Sequence, residues 1–232
     1  EQTTKVGLAN RIAARFADKV FISFESSRDF FPREKTHLSG YPIRKEFYES
    51  DQESPLVIDG VDVTESGKPL FFITGGGNGA QILNEKVRDE LEGLTRSYFI
   101  VHQVGKQFID EYQQYRSSSY LPLAFVGEEI VELMKRSEFV LSRAGAGTVA
   151  ELLAIGKPSL FVPLKIAQKN EQYHNAMEAQ KKLGSLVLEE DEFKEKKLVD
   201  LLKELEGKTS SPPQELTSSG TEYLVQEIIG QR

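Results

Sequence analysis

The sequence predicts an α/β fold: a Rossmann-like parallel sheet with helices on both faces, preceded by a partial N-terminal βαβ-like piece. Three observations carry this expectation. From Pro69 onward, short apolar runs alternate with amphipathic helical runs, the pattern of a parallel sheet covered on two sides. Two glycine-rich turns, Thr74-Gly75-Gly76-Gly77-Asn78-Gly79-Ala80 and Ser142-Arg143-Ala144-Gly145-Ala146-Gly147-Thr148, each follow an apolar run and open a helical one. The chain has 232 residues, 39% of them hydrophobic, which is enough for a sizeable core.

In chain order, Val6 to Ala17 reads as a helix with Leu8, Ile12, Ala13 and Phe16 on one face. Val20 to Phe24 is a short strand, and Thr36 to Pro42 reads as a strand end running into a turn. Residues 1–48 therefore form a remnant and not a closed domain. Residues 49–68 are acidic and turn-rich, with Pro55, Gly60 and Gly67, and are expected as a linker or insertion. Within them Leu56-Val57-Ile58 can form a small strand.

Residues 69–220 carry the regular rhythm. Strands are expected at Leu70–Thr74, Tyr98–His102, Leu121–Val126, Phe139–Leu141, Ser159–Pro163 and Ser185–Leu188. Helices are expected near Ala80–Glu92, Gln107–Tyr115, Ile130–Arg136, Thr148–Ile155, Gln172–Lys182 and Glu192–Glu204. The Ser/Thr/Pro-rich stretch 209–219 reads as a loop. Residues 221–232 close the chain, with Glu222 to Ile229 as a final helix.

Composition removes several function classes. The net charge of -7 argues against a nucleic-acid surface. No apolar run is long enough for a transmembrane segment, and there is no signal-peptide pattern. Cysteine is absent, which excludes disulfides and thiolate metal sites and fits a reducing compartment. The three histidines, His37, His102 and His174, lack metal-site spacing. No metal and no cofactor is expected. The chain begins with Glu1, which is read as a fragment or processed product.

The glycine turns carry the chemistry. Backbone N–H groups at a helix N-terminus attract phosphate, and in a parallel sheet ligands bind beyond the carboxyl ends of the strands. Gly75-x-Gly77-x-x-Ala80 also fits the dinucleotide fingerprint, but the next strand ends Val101-His102-Gln103-Val104 without the carboxylate that holds a nicotinamide ribose. In the second turn, Thr148 and Glu151 have capping-box spacing. Glu151 is thus either a structural cap or a carboxylate held for ribose hydroxyls. The amide-rich stretch Lys165 to Ala176, after a strand end, suits sugar hydroxyls or is an ordinary solvated loop and helix start.

These blocks, in this order, resemble the MurG family, UDP-GlcNAc-dependent N-acetylglucosaminyltransferases that make the peptidoglycan precursor lipid II. The likeness runs through Ile73 to Asn84, His102 to Lys106, Ser142 to Leu152, Gly156 to Pro163 and Gln172 to Ala176. It extends more weakly through Gly40-Tyr41-Pro42-Ile43-Arg44, similar to the family's G-N-P-V-R, and through Glu1-Gln2 with Gly7-Leu8-Ala9-Asn10. The resemblance implies the GT-B architecture of two Rossmann-like domains. The chain would carry the whole donor domain and the end of the acceptor domain.

The resemblance implies site roles as well. Glu151 would bind ribose hydroxyls. Ala146, Gly147 and Thr148 would lie along the nucleotide and phosphates, with Gly76, Gly77 and Asn78 contributing from the first turn. Val126 would present its backbone to uracil, Gln172 and Asn175 would meet the GlcNAc hydroxyls, and Arg44 would reach the donor from the interdomain side. The chain departs from the family pattern at Thr3, Gly77, Asn78 and Gly147; the last replaces a larger residue. The implied reaction is inverting transfer of GlcNAc from UDP-GlcNAc to a lipid-linked muramyl-peptide acceptor held by the missing N-terminal domain, which also holds the catalytic base. No catalytic residue is identified in this chain, which alone is expected to bind donor without transferring it. For the full-length protein the resemblance implies a cytoplasmic, peripheral place on the inner membrane face and roles in cell-wall biogenesis, cell shape and division. The alternatives are the donor domain of another UDP-sugar GT-B enzyme and a non-catalytic UDP-sugar-binding subunit.

Overall fold

A computed structural model describes residues 1–49, 55–165, 170–208 and 220–230. Its centre is a six-stranded, wholly parallel sheet made of β5 (Leu70–Thr74), β6 (Phe99–Gln103), β7 (Tyr120–Leu123), β8 (Phe139–Ser142), β9 (Leu160–Phe161) and β10 (Leu186–Val187). The spatial order is β10-β9-β8-β5-β6-β7. The chain therefore starts in the middle with β5, runs outward to β7, then crosses back to β8 and runs outward the other way. That reversal, between β5 and β8, opens a crevice at the strands' carboxyl ends.

The central strands are buried along their whole length, which is why their sequences are apolar runs, polar only at the carboxyl ends (Thr74, His102, Gln103 and Ser142), and not alternating ones. Pro122 sits in β7, the edge strand, where its missing N–H leaves no ladder bond unmade.

Two layers of helices cover the sheet. On one face lie α2 (Gln81–Ser97), α3 (Ile109–Tyr112), α7 (Glu190–Glu195) and α8 (Leu198–Leu205), packed on Phe71, Ile73, Ile100, Phe139 and Leu141. On the other lie α4 (Ile130–Arg136), α5 (Ala146–Ala154) and α6 (Glu171–Leu183), packed on Phe72, Val101, Val140 and Phe161. This alternation follows from the strand period of two.

The N-terminal piece holds α1 (Leu8–Ala13) and two parallel strands, β1 (Val20–Ile22) and β2 (Thr36–Leu38), around a small core of Val6, Ala14, Val20, Ile22 and Phe31. The helix expected over Val6–Ala17 is shorter, and its apolar positions Leu8, Ile12 and Phe16 are exposed. The described part of the 49–68 stretch is a packed hairpin, β3 (Val57–Ile58) with β4 (Val61–Asp62). Leu56, Ile58 and Val63 are buried in the α5-side core.

The last helix, α9 (Gly220–Ile229), packs on this piece through the Lys19–Glu227 ion pair at 2.6 Å and an edge contact between Phe21 and Tyr223. Its first residue has to be small. A Cβ on Gly220 would stand 2.9 Å from the carbonyl oxygens of Ser39, Gly40 and Tyr41.

Two expected helices differ in extent. The helix predicted over Glu192–Glu204 is split into α7 and α8, with Lys196 and Lys197 extended between them. The Glu90 carboxylate on α2 explains the break, because it accepts the Leu198 N–H at 2.9 Å and so caps α8 from a neighbouring element. The Gln107–Tyr115 run is only the short α3 followed by a tighter 3-10 turn. Residues 209–219, expected as a loop, lie outside the described residues. Among the described residues no helix is long and apolar enough to cross a membrane.

Candidate functional site

Both glycine turns leave the sheet at the reversal point. Thr74 ends β5, Ser142 ends β8, and the two are paired across the ladder. The first turn is shaped by close backbone packing. Gly76 and Gly79 have φ of 81° and 75°, a region that favours glycine. A Cβ on Gly79 would lie 1.9 Å from the Val104 carbonyl oxygen, so the turn is pressed against the exit of β6. The Gly76 N–H donates to Thr74 Oγ1 at 3.0 Å. Gly76, Gly77 and Asn78 are exposed at the crevice.

A third segment joins them. Gln103, the last residue of β6, donates from Nε2 to the Gly76 carbonyl at 2.8 Å and accepts the Val126 N–H on Oε1 at 2.9 Å. The Val126 side chain is buried and its amide is taken, so its carbonyl is the backbone group left for a ligand. Phe125 beside it is exposed. Nothing in its local pattern marks Gln103 as a bridge, since a Gln at a strand end reads equally well as solvated.

In the second turn α5 begins at Ala146, with Gly145 as the residue before the helix and no side-chain cap. Thr148 is therefore inside the first turn and not at the cap position, and the capping-box reading of Thr148 and Glu151 does not hold. The first-turn amides of Ala146, Gly147 and Thr148 have no intrahelical acceptor. Glu151 lies one turn further along the same helix face as Gly147. Its carboxylate has no hydrogen-bond or ion-pair partner among the described residues. Burial holds its carboxyl above the usual carboxylate range, and the exposed Arg44 guanidinium pulls in the opposite direction. Arg44 itself lies over the Phe47 ring, 5.7 Å from its centroid.

The α6 residues divide in role. Gln172 accepts the Ala144 N–H at 3.3 Å and the Leu164 N–H at 3.0 Å on Oε1, tying the second turn to the loop after β9. Its Nε2 group has no partner among the described residues and is the end available to a ligand. Asn175 is fully buried: its Oδ1 accepts from Thr4 Oγ1 at 3.0 Å, and its Nδ2 donates to the Ala144 carbonyl at 3.3 Å. In this structure Asn175 touches the site through the turn it supports. Arg143 acts likewise, with Nη1 on the Val162 carbonyl at 2.9 Å and an ion pair to Glu190 at 2.7 Å. Ser142 Oγ is buried at the base of the crevice and has no hydrogen-bond partner among the described residues. The residues expected from sequence thus converge from five segments, with Asn175 one layer beneath.

His102 stands behind the site. It is fully buried between Tyr120 Oη (2.9 Å from Nδ1) and Asn84 Oδ1 (3.1 Å from Nε2), and burial lowers its pKa to about 3. Because Asn84 Nδ2 is spent on the Val104 carbonyl, its oxygen faces the ring, which must carry the proton on Nε2.

Comparisons with known proteins bear on the family and the fold. A model of the glycosyltransferase family 28 C-terminal domain matches residues 70–227. A Clostridium botulinum (strain Hall) protein named UDP-N-acetylglucosamine--N-acetylmuramyl-(pentapeptide) pyrophosphoryl-undecaprenol N-acetylglucosamine transferase is 37% identical over 197 residues, which are 84% of this chain and 54% of that protein. A Bacillus anthracis protein of the same name, numbered 2, is 34% identical over 224 residues, 96% of this chain and 62% of that protein. The crystal structure of Acinetobacter baumannii MurG has a TM-score of 0.68 at 22% identity, covering 100% of this chain and 66% of that one. The chain spans 54% and 62% of the length of the two curated relatives.

Proposed function

Since this chain belongs to glycosyltransferase family 28, we propose that it is the donor-binding half of an inverting glycosyltransferase. That enzyme moves GlcNAc from UDP-GlcNAc to a lipid-linked muramyl-peptide acceptor in peptidoglycan synthesis. The observation that carries the reading is the meeting of two amide-lined turns and an unpartnered Glu151 at one sheet reversal. Anion-seeking helix amides and a carboxylate one turn away match the two ends of a nucleoside diphosphate: phosphates at the amides, ribose hydroxyls at the carboxylate.

In this reading the Val126 carbonyl accepts from the uracil edge. Gln172 Nε2 donates to a sugar hydroxyl, and Arg44 offers positive charge from the N-terminal piece. The acceptor hydroxyl attacks C1 of GlcNAc as the bond to the β-phosphate breaks. Negative charge grows on the departing UDP, and the first-turn amides of α5 stabilise it. A general base must take the acceptor proton. It belongs to a part of the enzyme outside this chain, as does the acceptor site, and so does the contact that would hold the full-length protein at the inner membrane face.

Calorimetric titration with UDP-GlcNAc tests the reading. Glu151→Ala should lose a charged hydrogen-bonding group worth about 1.5–3 kcal/mol, roughly tenfold or more in affinity. Equal affinity in the variant, or no binding by the unaltered chain, would refute it.

A further inference from the structure

The structure assigns one more residue to the donor site: we infer that the Tyr41 hydroxyl, which lies against Gly147 at the first turn of α5, donates a hydrogen bond to the diphosphate. The inference rests on the reading of the site as one for UDP-sugar.

Tyr41 comes from the N-terminal piece, yet its hydroxyl reaches the first turn of α5. A Cβ built on Gly147 would lie 3.4 Å from the Tyr41 oxygen and 3.9 Å from the nearest ring carbons. A β-carbon at position 147 would thus stand in van der Waals contact with the phenol. The glycine leaves the phenol lying against the helix end.

The hydroxyl has no hydrogen-bond partner among the described residues, although the ring is half-buried and packed on the α5-side core. Glu151, on the same helix face, is without a partner too. The two groups feel each other: burial raises the Tyr41 pKa, and the Glu151 charge raises it further. Tyr41 therefore stays protonated and remains a donor. Next to free amides, an unpaired neutral O–H donor beside an anion site is complementary to phosphate.

The position is built and not incidental. The Tyr41 carbonyl accepts the Ile43 N–H at 3.0 Å, and Ile43 is buried in the core. The neighbouring Gly40 carbonyl accepts from Ser23 Oγ at 3.3 Å. The start of α9 seats on the carbonyls of Ser39, Gly40 and Tyr41 because Gly220 has no side chain. Two flanking segments thus hold the backbone from which the phenol projects, so its ordering is largely complete before a ligand arrives.

The test is calorimetric titration of UDP and UDP-GlcNAc into the full chain and its Tyr41→Phe and Glu151→Ala variants, with thermal unfolding of each. Tyr41→Phe keeps the ring and removes only the donor. It should retain its melting temperature and lose about five- to tenfold in affinity for both ligands alike, since both carry the diphosphate. Affinity unchanged in Tyr41→Phe but reduced in Glu151→Ala would overturn the role of Tyr41 and leave the site standing. No binding of either ligand by the unaltered chain would overturn the reading of the site, and the inference with it.

Discussion

Gln103 holds Val126 in place by its backbone: the side-chain oxygen of one accepts the amide of the other at 2.9 Å, while the same side chain grips Gly76 at 2.8 Å. One amide group therefore sets the spacing between the first glycine turn and the segment that follows β7. Removing it leaves a buried N–H without a partner, whereas the Gly76 carbonyl, on an exposed residue, finds water. Gln103→Ala should cost about 1–3 kcal/mol in urea unfolding and weaken UDP binding with it. A variant as stable as the parent would show that the bridge does not matter.

His102 makes stability depend on pH. The unfolded chain binds a proton at this residue near pH 6.5, while the buried ring resists it down to about 3. Over that window the unfolded state carries the extra proton. The contribution of His102 is therefore intact above pH 6.5 and falls by about 1.4 kcal/mol per pH unit as the pH drops towards 3. His102→Gln should be less stable at pH 7, since it breaks the Asn84–His102–Tyr120 chain, and should show a shallower pH slope. Parallel slopes for the two proteins between pH 6 and 4.5 would refute the assignment.

Glu151 costs stability in its ionised form. Burial lifts its folded pKa above the unfolded value, against the pull of Arg44, so the unfolded state ionises first as pH rises. The cost sets in as the pH climbs through about 4.5 and is complete above the folded value. Glu151→Gln should be more stable than the parent at pH 7, match it more closely below pH 4, and bind UDP-GlcNAc less tightly. Denaturant melts across that range decide the matter. A variant less stable at pH 7 would mean that the carboxylate has a structural partner after all.

Much of the fold is legible in the chain. Leu70–Thr74, Phe99–Gln103 and Phe139–Ser142 are apolar up to their carboxyl-end residues, and strands buried on both faces require such runs. The break between α7 and α8 is not legible. Its cause, the Glu90 carboxylate on the Leu198 amide, comes from a helix far earlier in sequence. The start of α5 is also misread locally, because Thr148 and Glu151 satisfy a capping pattern that the backbone does not use.

The residues of the candidate site divide the same way. The glycine turns announce themselves, because few residue types serve a tight turn, whereas Glu151 and Gln172 stand out only through the family resemblance. Asn175 does not declare its depth: an Asn near a helix start reads as exposed, and only packing against Thr4 and Ala144 buries it.

By itself the sequence determined the alternation of strands and helices, the two glycine-rich turns and the family, because these depend on local residue type and spacing. The tertiary structure alone decided that Tyr41 meets Gly147, more than a hundred positions further along the chain. Their contact joins the N-terminal piece to the second glycine turn, and packing acts through space, where separation along the chain leaves no trace.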